Sequence, residues 1–532
     1  MKISLFSLSA VVALTIAFTP SLSSAAPSSP LPIPPIDRRP HSDNGASASA
    51  GPSSPLPIPP IDRRPHNDNG ASASAAPSSP LPIPPIDRRP HSDNDASASA
   101  AYASASAAPS DIVSFKNDRV VRVNIQTESD LKTLTDSERS LELDYFTHSK
   151  GIGGTIDIRV PAKSFKSFQA LHLNYTTVVE DLQGMIDEEA QKNGEYLEQV
   201  WGASVQQVQN SLRLNRGGHG SREEEESQIY ASPMAADAWF QGYHSYADHV
   251  KWLNAQVKGS KGKAKAFSAG KSFEGRPQVG IRLGTGKKHI VFHGTQHARE
   301  WVTTMTVEYM ISQLLNSKDK KVAGYLKKYT FHIIPIMNPD GFVVSQTSNR
   351  MHRKNTQPNP GSRCLGTDIN RNWDSHFGQG GSSKDPCADD YMGPRAFSTP
   401  EATNIARYLR SLPNVAAYLD IHSFSQLWMV PFGYSSTRPG TYAYMDGLAE
   451  KAVNALAKVH GTRFRHGDIF HTIYQSSGTS VDYAYEVAKA GVAMAVELRD
   501  TGRNGFMLPA EQILPTGEET WAALSAILDN MK

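Results

Sequence analysis

The segment that decides the fold runs from His289 to Trp301 and has the sequence HIVFHGTQHAREW. Its first residues form a short apolar run typical of a strand buried on both faces, and its second half opens a helix. Similar apolar runs, separated by stretches with helical periodicity, recur at residues 330–336, 416–421 and 492–496. This alternation predicts an α/β domain over residues 237–532, with a mixed, largely buried sheet flanked by helices.

The same segment carries a pair of metal-binding residue types, His297 and Glu300. Both side chains can point into one cavity at a strand–helix junction, where ligands of α/β proteins gather. Imidazole and carboxylate groups are ordinary zinc ligands, and catalytic zinc sites commonly use three protein groups. The chain has 18 His, so a His-x-x-acid pair also arises by chance. The simpler alternative is a His at a helix start followed by a capping Glu.

Three further segments offer polar groups at the ends of predicted strands. His422 ends the run LDIH and suits a third metal ligand, although a lone His there is more often a core residue. Glu497 ends the run AMAVE, where an unpaired buried carboxylate is costly. It therefore has either a catalytic task or an ion pair with Arg499. Residues 366–373, GTDINRNW, add a carboxylate at Asp368 and an Asn-Arg pair that suits an anion.

The N-terminus predicts export from the cell. Lys2 precedes an apolar run over residues 5–18 and the small residues 23–26. This order is typical of a secretory signal peptide, which we place at residues 1–25. The rest of the chain has no apolar stretch of about 20 residues, so we expect no membrane span.

Residues 26–110 contain a 25-residue unit that occurs three times, each with PSSPLPIPPIDRRPH and ASASA. Proline recurs too often for helices or sheet ladders, and the Ala/Ser half has no apolar face to bury. We therefore expect a disordered Pro/Ala/Ser-rich region. An adhesive role for the repeats is an alternative function, but they bring no chemistry of their own. The formal net charge of +2, without a clustered basic face, does not indicate nucleic-acid binding.

Residues 111–214 predict a second, smaller domain. The pattern indicates four strands and two helices in the order of a ferredoxin-like α+β sandwich. The predicted strands lie at 120–125, 141–146, 155–160 and 175–180, and the predicted helices at 127–134 and 162–171. A long helix over 182–212 is expected to lead out of this domain. Asn174 begins the triplet Asn-Tyr-Thr, which is an N-glycosylation acceptor if it is exposed.

A polar, Gly-containing and acidic segment at 215–227 follows, and we expect a linker over residues 215–236. Arg213, Arg216 and Arg222 lie in or beside this segment. Such an exposed linker is a natural place for proteolytic cutting.

The chain has only two cysteines, Cys364 and Cys387. In an exported protein, a single pair is more often a disulfide than two free thiols. Two thiols can instead bind a metal, but these lack a CxxC spacing and the chain offers better ligands elsewhere.

Seven motifs occur in a fixed order: HAREW, NPDGF, NRMHRKN, DINRNW, IHSFSQ, IYQSSGTSVD and ELRDTGRNGF. Together they resemble the pancreatic carboxypeptidase A type of zinc metallocarboxypeptidase, from about Tyr243 to the C-terminus. The preceding sandwich and long helix resemble the propeptide of that family. The resemblance implies a secreted exopeptidase, made as a zymogen, that acts on peptide and protein substrates. It also implies one Zn²⁺ per catalytic domain, an inhibitory propeptide and an activating protease.

The resemblance also implies roles for individual residues. The implied zinc ligands are His297, Glu300 and His422. Asp368 would hydrogen-bond the far nitrogen of His297 and fix its tautomer. Glu497 would be the general base for the attacking water and then the acid for the leaving amine, and Arg353 would stabilise the oxyanion.

Further positions that match the family concern the substrate and the disulfide. Asn370 and Arg371 would bind the terminal carboxylate, and Tyr474 would close over it. The more distant subsites would include Arg299 and Phe506. Cys364 and Cys387 match the disulfide of the family.

The position that separates apolar from basic preference in the family is Val481 here. The other pocket positions are also uncharged: Ile469, Ser476, Thr479 and Ala495. A Lys or Arg side chain would lack a counter-ion, so we expect apolar or aromatic C-terminal residues. Phe424 stands where the family often has Tyr. The competing class is a binding protein that keeps this fold but has lost catalysis. Such proteins usually replace the general base or a zinc ligand.

Overall fold

The computed structural model describes residues 112–147, 152–215, 222–232 and 238–532. All of them belong to one structural unit, Pro80–Lys532. The predicted signal peptide at 1–25 and the repeat region at 26–110 lie outside the described residues. No helix in the described part of the chain combines the length and apolar character that crossing a membrane requires.

The smaller domain is a four-stranded antiparallel sheet packed against two helices. In chain order its elements are β1 (Arg119–Asn124), α1 (Glu128–Leu141), β2 (Asp144–Tyr145), β3 (Thr155–Val160), α2 (Phe165–Gln169) and β4 (Tyr175–Val179). The strand order β2-β3-β1-β4 is that of a ferredoxin-like sandwich, as predicted. Asn174, just before β4, is exposed.

Helix α1 starts as predicted but ends later. The Thr127 hydroxyl accepts a hydrogen bond from the backbone of Asp130, whose carboxylate accepts one from the Thr127 backbone. The helix continues to Leu141 and ends where Glu142 adopts a φ of 53°. The predicted strand over 141–146 is therefore wrong for its first residues. Leu134 is the one fully buried residue of α1. The second half of the helix therefore adds little to the core, and its sequence lacks the apolar periodicity that would predict a helix.

A long helical segment leads to the larger domain, close to the predicted bounds. It comprises α3 (Leu182–Tyr196), a π-helical turn (Leu197–Trp201) and α4 (Gly202–Asn215). A further helix, α5 (Arg222–Ala231), lies within the predicted linker over residues 215–236. Tyr230 of α5 is buried in the core of the larger domain, and its hydroxyl donates to Asp248. This apolar anchoring explains why an acidic stretch forms an ordered helix.

The larger domain contains an eight-stranded mixed sheet in the order β11-β10-β12-β9-β7-β8-β6-β5. The strands are β5 (Ala264–Lys271), β6 (Pro277–Leu283), β7 (Lys288–His293), β8 (Tyr329–Ile334), β9 (Val415–His422), β10 (Leu427–Val430), β11 (Arg465–Asp468) and β12 (Val492–Glu497). The four central strands, β12, β9, β7 and β8, are mutually parallel. The carboxyl ends of these strands therefore meet at one edge of the sheet.

Helices cover both faces of this sheet, as the apolar runs predict. They are α6 (Tyr246–Gly259), α7 (Trp301–Asn316), α8 (Lys320–Lys328), α9 (Pro339–Thr347), α10 (Pro400–Ser411), α11 (Tyr442–His460), α12 (Ile469–Thr472), α13 (Ser480–Glu486) and α14 (Ile513–Asn530). In β7, Ile290 and Phe292 pack into the core on one face. Val291, between them, packs into a second core on the other face. The continuous apolar run of β7 thus reflects a strand buried on both sides.

Between α9 and α10, the chain passes through a long irregular segment, residues 348–399. Cys364 and Cys387 form a disulfide within it, as predicted. Asn372 is fully buried, and its side-chain amide donates to the backbone oxygens of Met392 and Arg395. These bonds hold the loops that carry several candidate site residues.

Candidate active site

Four predicted site residues lie together at the carboxyl edge of the central strands. His297 and Glu300 occupy the turn between β7 and α7, whereas His422 ends β9 and Glu497 ends β12. Parallel pairing of β12 with β9 places Glu497 directly beside His422. The ends of three adjacent strands thus converge on one position, where α/β folds usually bind ligands.

Glu300 stands at the N-cap position of α7, but its side chain makes no capping hydrogen bond. One carboxylate oxygen, Oε1, lies 2.8 Å from His297 Nδ1. The other, Oε2, lies 3.1 Å from His422 Nδ1. The alternative of a helix-capping Glu is therefore wrong, because this carboxylate is directed at the two imidazoles.

The three side chains offer a donor set that fits a metal ion. Their ligand atoms all lie within 4.8 Å of one another. The Nδ1 atoms of His297 and His422 are only 3.1 Å apart. All three residues are buried, with at most 5% of their surface exposed. Two imidazole nitrogens and one carboxylate oxygen aimed at a common point suit a tetrahedral zinc site that keeps one position open.

The electrostatics of the cluster favour a positive charge at this point. Burial by itself would raise the pKa of Glu300, but the charges of His297 and His422 hold it well below its usual range. Burial would lower the pKa of His422, yet the carboxylates of Asp420 and Glu300 raise it well above its usual value. A divalent cation bound here would supply the positive charge that these carboxylates favour, in place of a proton on His422.

The far nitrogen of each imidazole faces a buried carboxylate. His297 Nε2 lies 3.2 Å from Asp368 Oδ1, the contact implied by the resemblance. His422 Nε2 lies 2.9 Å from Asp420 Oδ2, a contact absent from the sequence-based prediction. Asp420 precedes His422 by two residues, and residues two apart on a strand share a face. This spacing could have predicted the contact from the sequence.

Glu497 is half-buried beside this cluster. Burial is the main cause that raises the pKa of Glu497 to about 8, although the charge of His422 opposes the effect. The predicted alternative, an ion pair with Arg499, does not form. Arg499 instead makes two hydrogen bonds to Glu519, at 2.8 and 2.7 Å.

The Asn-Arg pair lies next to the metal-ligand cluster. The side-chain amide nitrogen of Asn370 is 3.2 Å from His422 Nε2. Arg371 is buried, and its guanidinium donates to the Tyr474 hydroxyl at 3.3 Å. Arg353 donates to Asp368 Oδ2 at 2.9 Å. Two guanidinium groups and an amide therefore flank the cluster, an arrangement that can hold a carboxylate.

The five predicted pocket residues are all buried. Val481 at the start of α13, Ile469 and Ala495 belong to one apolar cluster. Ser476 and Thr479 add hydroxyl groups but no charge. Asp482 follows Val481, but its carboxylate accepts hydrogen bonds from the backbone of residues 433 and 434.

Arg299 and Phe506, predicted for more distant subsites, contact the smaller domain. Arg299 is fully buried and donates to Asp144 at 3.1 Å and to the Tyr145 backbone oxygen at 3.2 Å. The Phe506 ring packs edge-on against Phe146 with a centroid distance of 5.0 Å. Sequence patterns gave no sign of these particular contacts, because they join distant parts of the chain.

Comparison with known proteins agrees with this fold and site. Residues 249–523 match the zinc carboxypeptidase family, and residues 121–189 match the carboxypeptidase activation peptide. The chain therefore belongs to the zinc carboxypeptidase family, and it carries an activation peptide before the catalytic domain.

Individual relatives refine this assignment. A metallocarboxypeptidase A of Trichophyton equinum is 38% identical over 437 residues, covering 80% of this chain and 95% of the relative. Carboxypeptidase A2 of Rattus norvegicus is 34% identical over 429 residues, covering 79% and 95%. The carboxypeptidase A structure from Helicoverpa armigera shares the fold, with a TM-score of 0.67, 24% identity, and coverage of 78% of this chain and 98% of that one.

These matches confirm the predicted class: a carboxypeptidase A-like zinc metallopeptidase made as a zymogen. The predicted zinc cofactor is also confirmed by the family assignment, together with a His-Glu-His cluster that fits the ion.

Proposed function

We propose that this protein is secreted and, once activated, removes apolar or aromatic residues from the C-termini of peptides and proteins. The observation that carries this proposal is the convergence of His297, Glu300 and His422, with Glu497 on the adjacent strand. Secretion rests on the N-terminal sequence, because a charged start, an apolar run and small residues form a signal peptide.

In this proposal, the three ligands hold the zinc ion and Glu497 performs the proton transfers. The bound ion would polarise the scissile carbonyl and lower the pKa of the attacking water. Glu497 accepts a proton from that water and then gives it to the leaving amine. One carboxylate serves both steps, because the proton that it takes from the water is the one that it returns to the amine.

The positive groups beside the ligands give the site its preference for chain ends. Asn370 and Arg371 bind the terminal carboxylate, and Tyr474 closes over it. Arg371 already donates to the Tyr474 hydroxyl, so the two are within reach of one small anion. Arg353, which donates to Asp368, would stabilise negative charge on the carbonyl oxygen.

The side-chain preference follows from the apolar pocket. Val481, Ile469 and Ala495 are buried and uncharged, so a Lys or Arg of the substrate would enter without a counter-ion. Burying an unpaired charge is costly, whereas burying an aromatic ring is favourable because its apolar surface leaves water.

We also propose that the smaller domain covers the cleft until a protease cuts near Arg213 to Arg222. Arg299 and Phe506, our candidates for distant subsites, contact Asp144 and Phe146 of the smaller domain, so a substrate cannot reach them in this arrangement. Helix α5 is anchored in the catalytic domain by Tyr230. A cut between α4 and α5 would thus release the smaller domain and leave α5 with the enzyme.

A profile of C-terminal preference tests this function. The protein is cut in the linker and offered a peptide series that differs only in its last residue, with a C-terminally amidated peptide as control. We expect release of Phe, Leu and Tyr, little release of Lys or Arg, none from the amide, and loss of all activity with a chelator. Cleavage of the amidated peptide, or a preference for basic ends, would contradict the proposal.

A further inference from the structure

A buried carboxylate lies directly behind one metal ligand and has no role in the steps described so far. Asp420 is completely buried on β9, on the strand face that also carries His422. Its Oδ2 lies 2.9 Å from His422 Nε2 and also accepts the hydroxyl of Ser480. Its Oδ1 lies 3.4 Å from His293 Nδ1. A charge in this position is costly unless its partners are fixed around it.

The orientation of His422 follows from these partners. Its Nδ1 faces Glu300 and His297, whereas its Nε2 faces Asp420. When Nε2 carries the hydrogen and donates it to Asp420, the Nδ1 lone pair is free for a cation. A carboxylate behind a metal-bound imidazole both fixes this tautomer and strengthens the ligand.

Asp420 is also connected to the proposed carboxylate subsite. Ser480, which donates its hydroxyl to Asp420, donates its backbone N–H to Asn370 Oδ1 at 3.0 Å. The amide nitrogen of Asn370 also lies 3.2 Å from His422 Nε2, but this is a close contact rather than a hydrogen bond when Nε2 donates to Asp420. One buried group thus touches the metal ligand directly and the substrate-binding Asn370 through one intermediate.

We propose that Asp420 is a positioning residue that orients His422 toward the metal and, through Ser480, fixes Asn370 beside it. This inference rests on the proposed roles of His422 and Asn370. It makes the metal centre and the subsite for the substrate carboxylate parts of one hydrogen-bonded unit.

Zinc affinity of the full chain, measured by competition with a chelator of known strength, tests the proposal. Asp420→Asn keeps the volume but removes the charge, and we expect zinc binding about 10-fold to 100-fold weaker. Glu308→Gln is the matched control, because Glu308 forms another buried pair with His249 at 2.9 Å, outside the site. It should lower thermal stability and leave zinc affinity within about twofold.

Ser480→Ala is the second variant, in case Asp420→Asn does not fold. It keeps the carboxylate but breaks its link to Asn370, so we expect a weaker effect on zinc than that of Asp420→Asn, below about 10-fold. After activation and at saturating zinc, it should raise KM for a peptide more than it lowers kcat, because Asn370 is less well held.

Zinc binding by Asp420→Asn within twofold of the wild type would overturn this inference. His422→Ala, measured in parallel, separates that result from a failure of the proposed function. If His422→Ala loses zinc while Asp420→Asn does not, only the positioning role is wrong. If His422→Ala keeps full affinity, the metal centre itself is wrongly placed, and this inference fails with it.

Discussion

The contact between Glu189 and Arg350 provides a direct measure of how tightly the smaller domain is held on the enzyme. Glu189, on α3, accepts hydrogen bonds from Arg350 Nε at 2.6 Å and from Nη2 at 3.0 Å. Both side chains are nearly buried, with 5% exposure for Arg350 and 11% for Glu189. Glu189→Gln removes the negative charge of this pair and leaves the amide oxygen to accept one hydrogen bond from the Arg350 guanidinium.

The expected cost follows from the burial of the pair. Truncating one partner of a buried, hydrogen-bonded charge pair at an interface costs about 2–5 kcal/mol. Because Gln still accepts one hydrogen bond, we take the lower end, about 2 kcal/mol, which weakens association roughly 30-fold. Arg350 also donates to the backbone oxygens of Arg299 and Phe506, so it should stay in place after release. The activity of the separated enzyme should therefore not change.

The assay uses protein cut in the linker but not separated, diluted over a wide concentration range. Activity appears as the smaller domain dissociates, and the half-point of this release gives the dissociation constant. Glu180→Gln is the control, since Glu180 pairs with Arg119 within the smaller domain and is 75% exposed. It should leave the half-point unchanged. An unchanged half-point for a folded Glu189→Gln protein would refute this account of the interface.

Three further results are expected. Val481→Asp should raise the ratio of kcat/KM for Arg-ending over Phe-ending peptides, and an unaltered ratio would show that Val481 is not at the pocket floor. As pH falls, kcat/KM should decline through the pKa of Glu497, because only the carboxylate accepts a proton. That pKa is about 8 without metal, and a nearby cation lowers it, so the decline should lie below pH 8, and a flat profile down to about pH 5 would contradict this role. Replacing Cys364 and Cys387 with Ser should destabilise the protein by about 2–4 kcal/mol in calorimetry, whereas an unchanged Tm would show that the bond does not restrain the loop.

The sequence was most informative where one residue type has one plausible task. A carboxylate at the end of a buried strand, as at Glu497, requires a partner or a task, and the sequence alone predicted that it would lie beside the site. The domain classes also followed from local patterns, because β7 and its neighbours are continuous apolar runs. The His-x-x-Glu pair alone was weak, and it gained meaning only from His422 on a strand far away in sequence.

The missed features depend on contacts between distant segments. The acidic residues of α5 predicted a linker, because the sequence does not show that Tyr230 packs into the core of the larger domain. The Asp144 contact with Arg299 joins positions 155 residues apart, and no local pattern reports it. Asp420 was a different case. Its spacing from His422 places both side chains on one strand face, but many strand residues share that spacing, so the pattern alone did not mark the pair.

The central claim is that two imidazoles and two carboxylates divide the work between holding zinc and moving a proton. The most direct measurement compares bound zinc and turnover of a Phe-ending peptide in activated Glu497→Gln and His422→Ala proteins. We expect Glu497→Gln to keep one zinc and lose turnover by about 10²-fold to 10⁴-fold, and His422→Ala to lose both. Wild-type turnover in Glu497→Gln, or wild-type zinc content and turnover in His422→Ala, would contradict this division of roles.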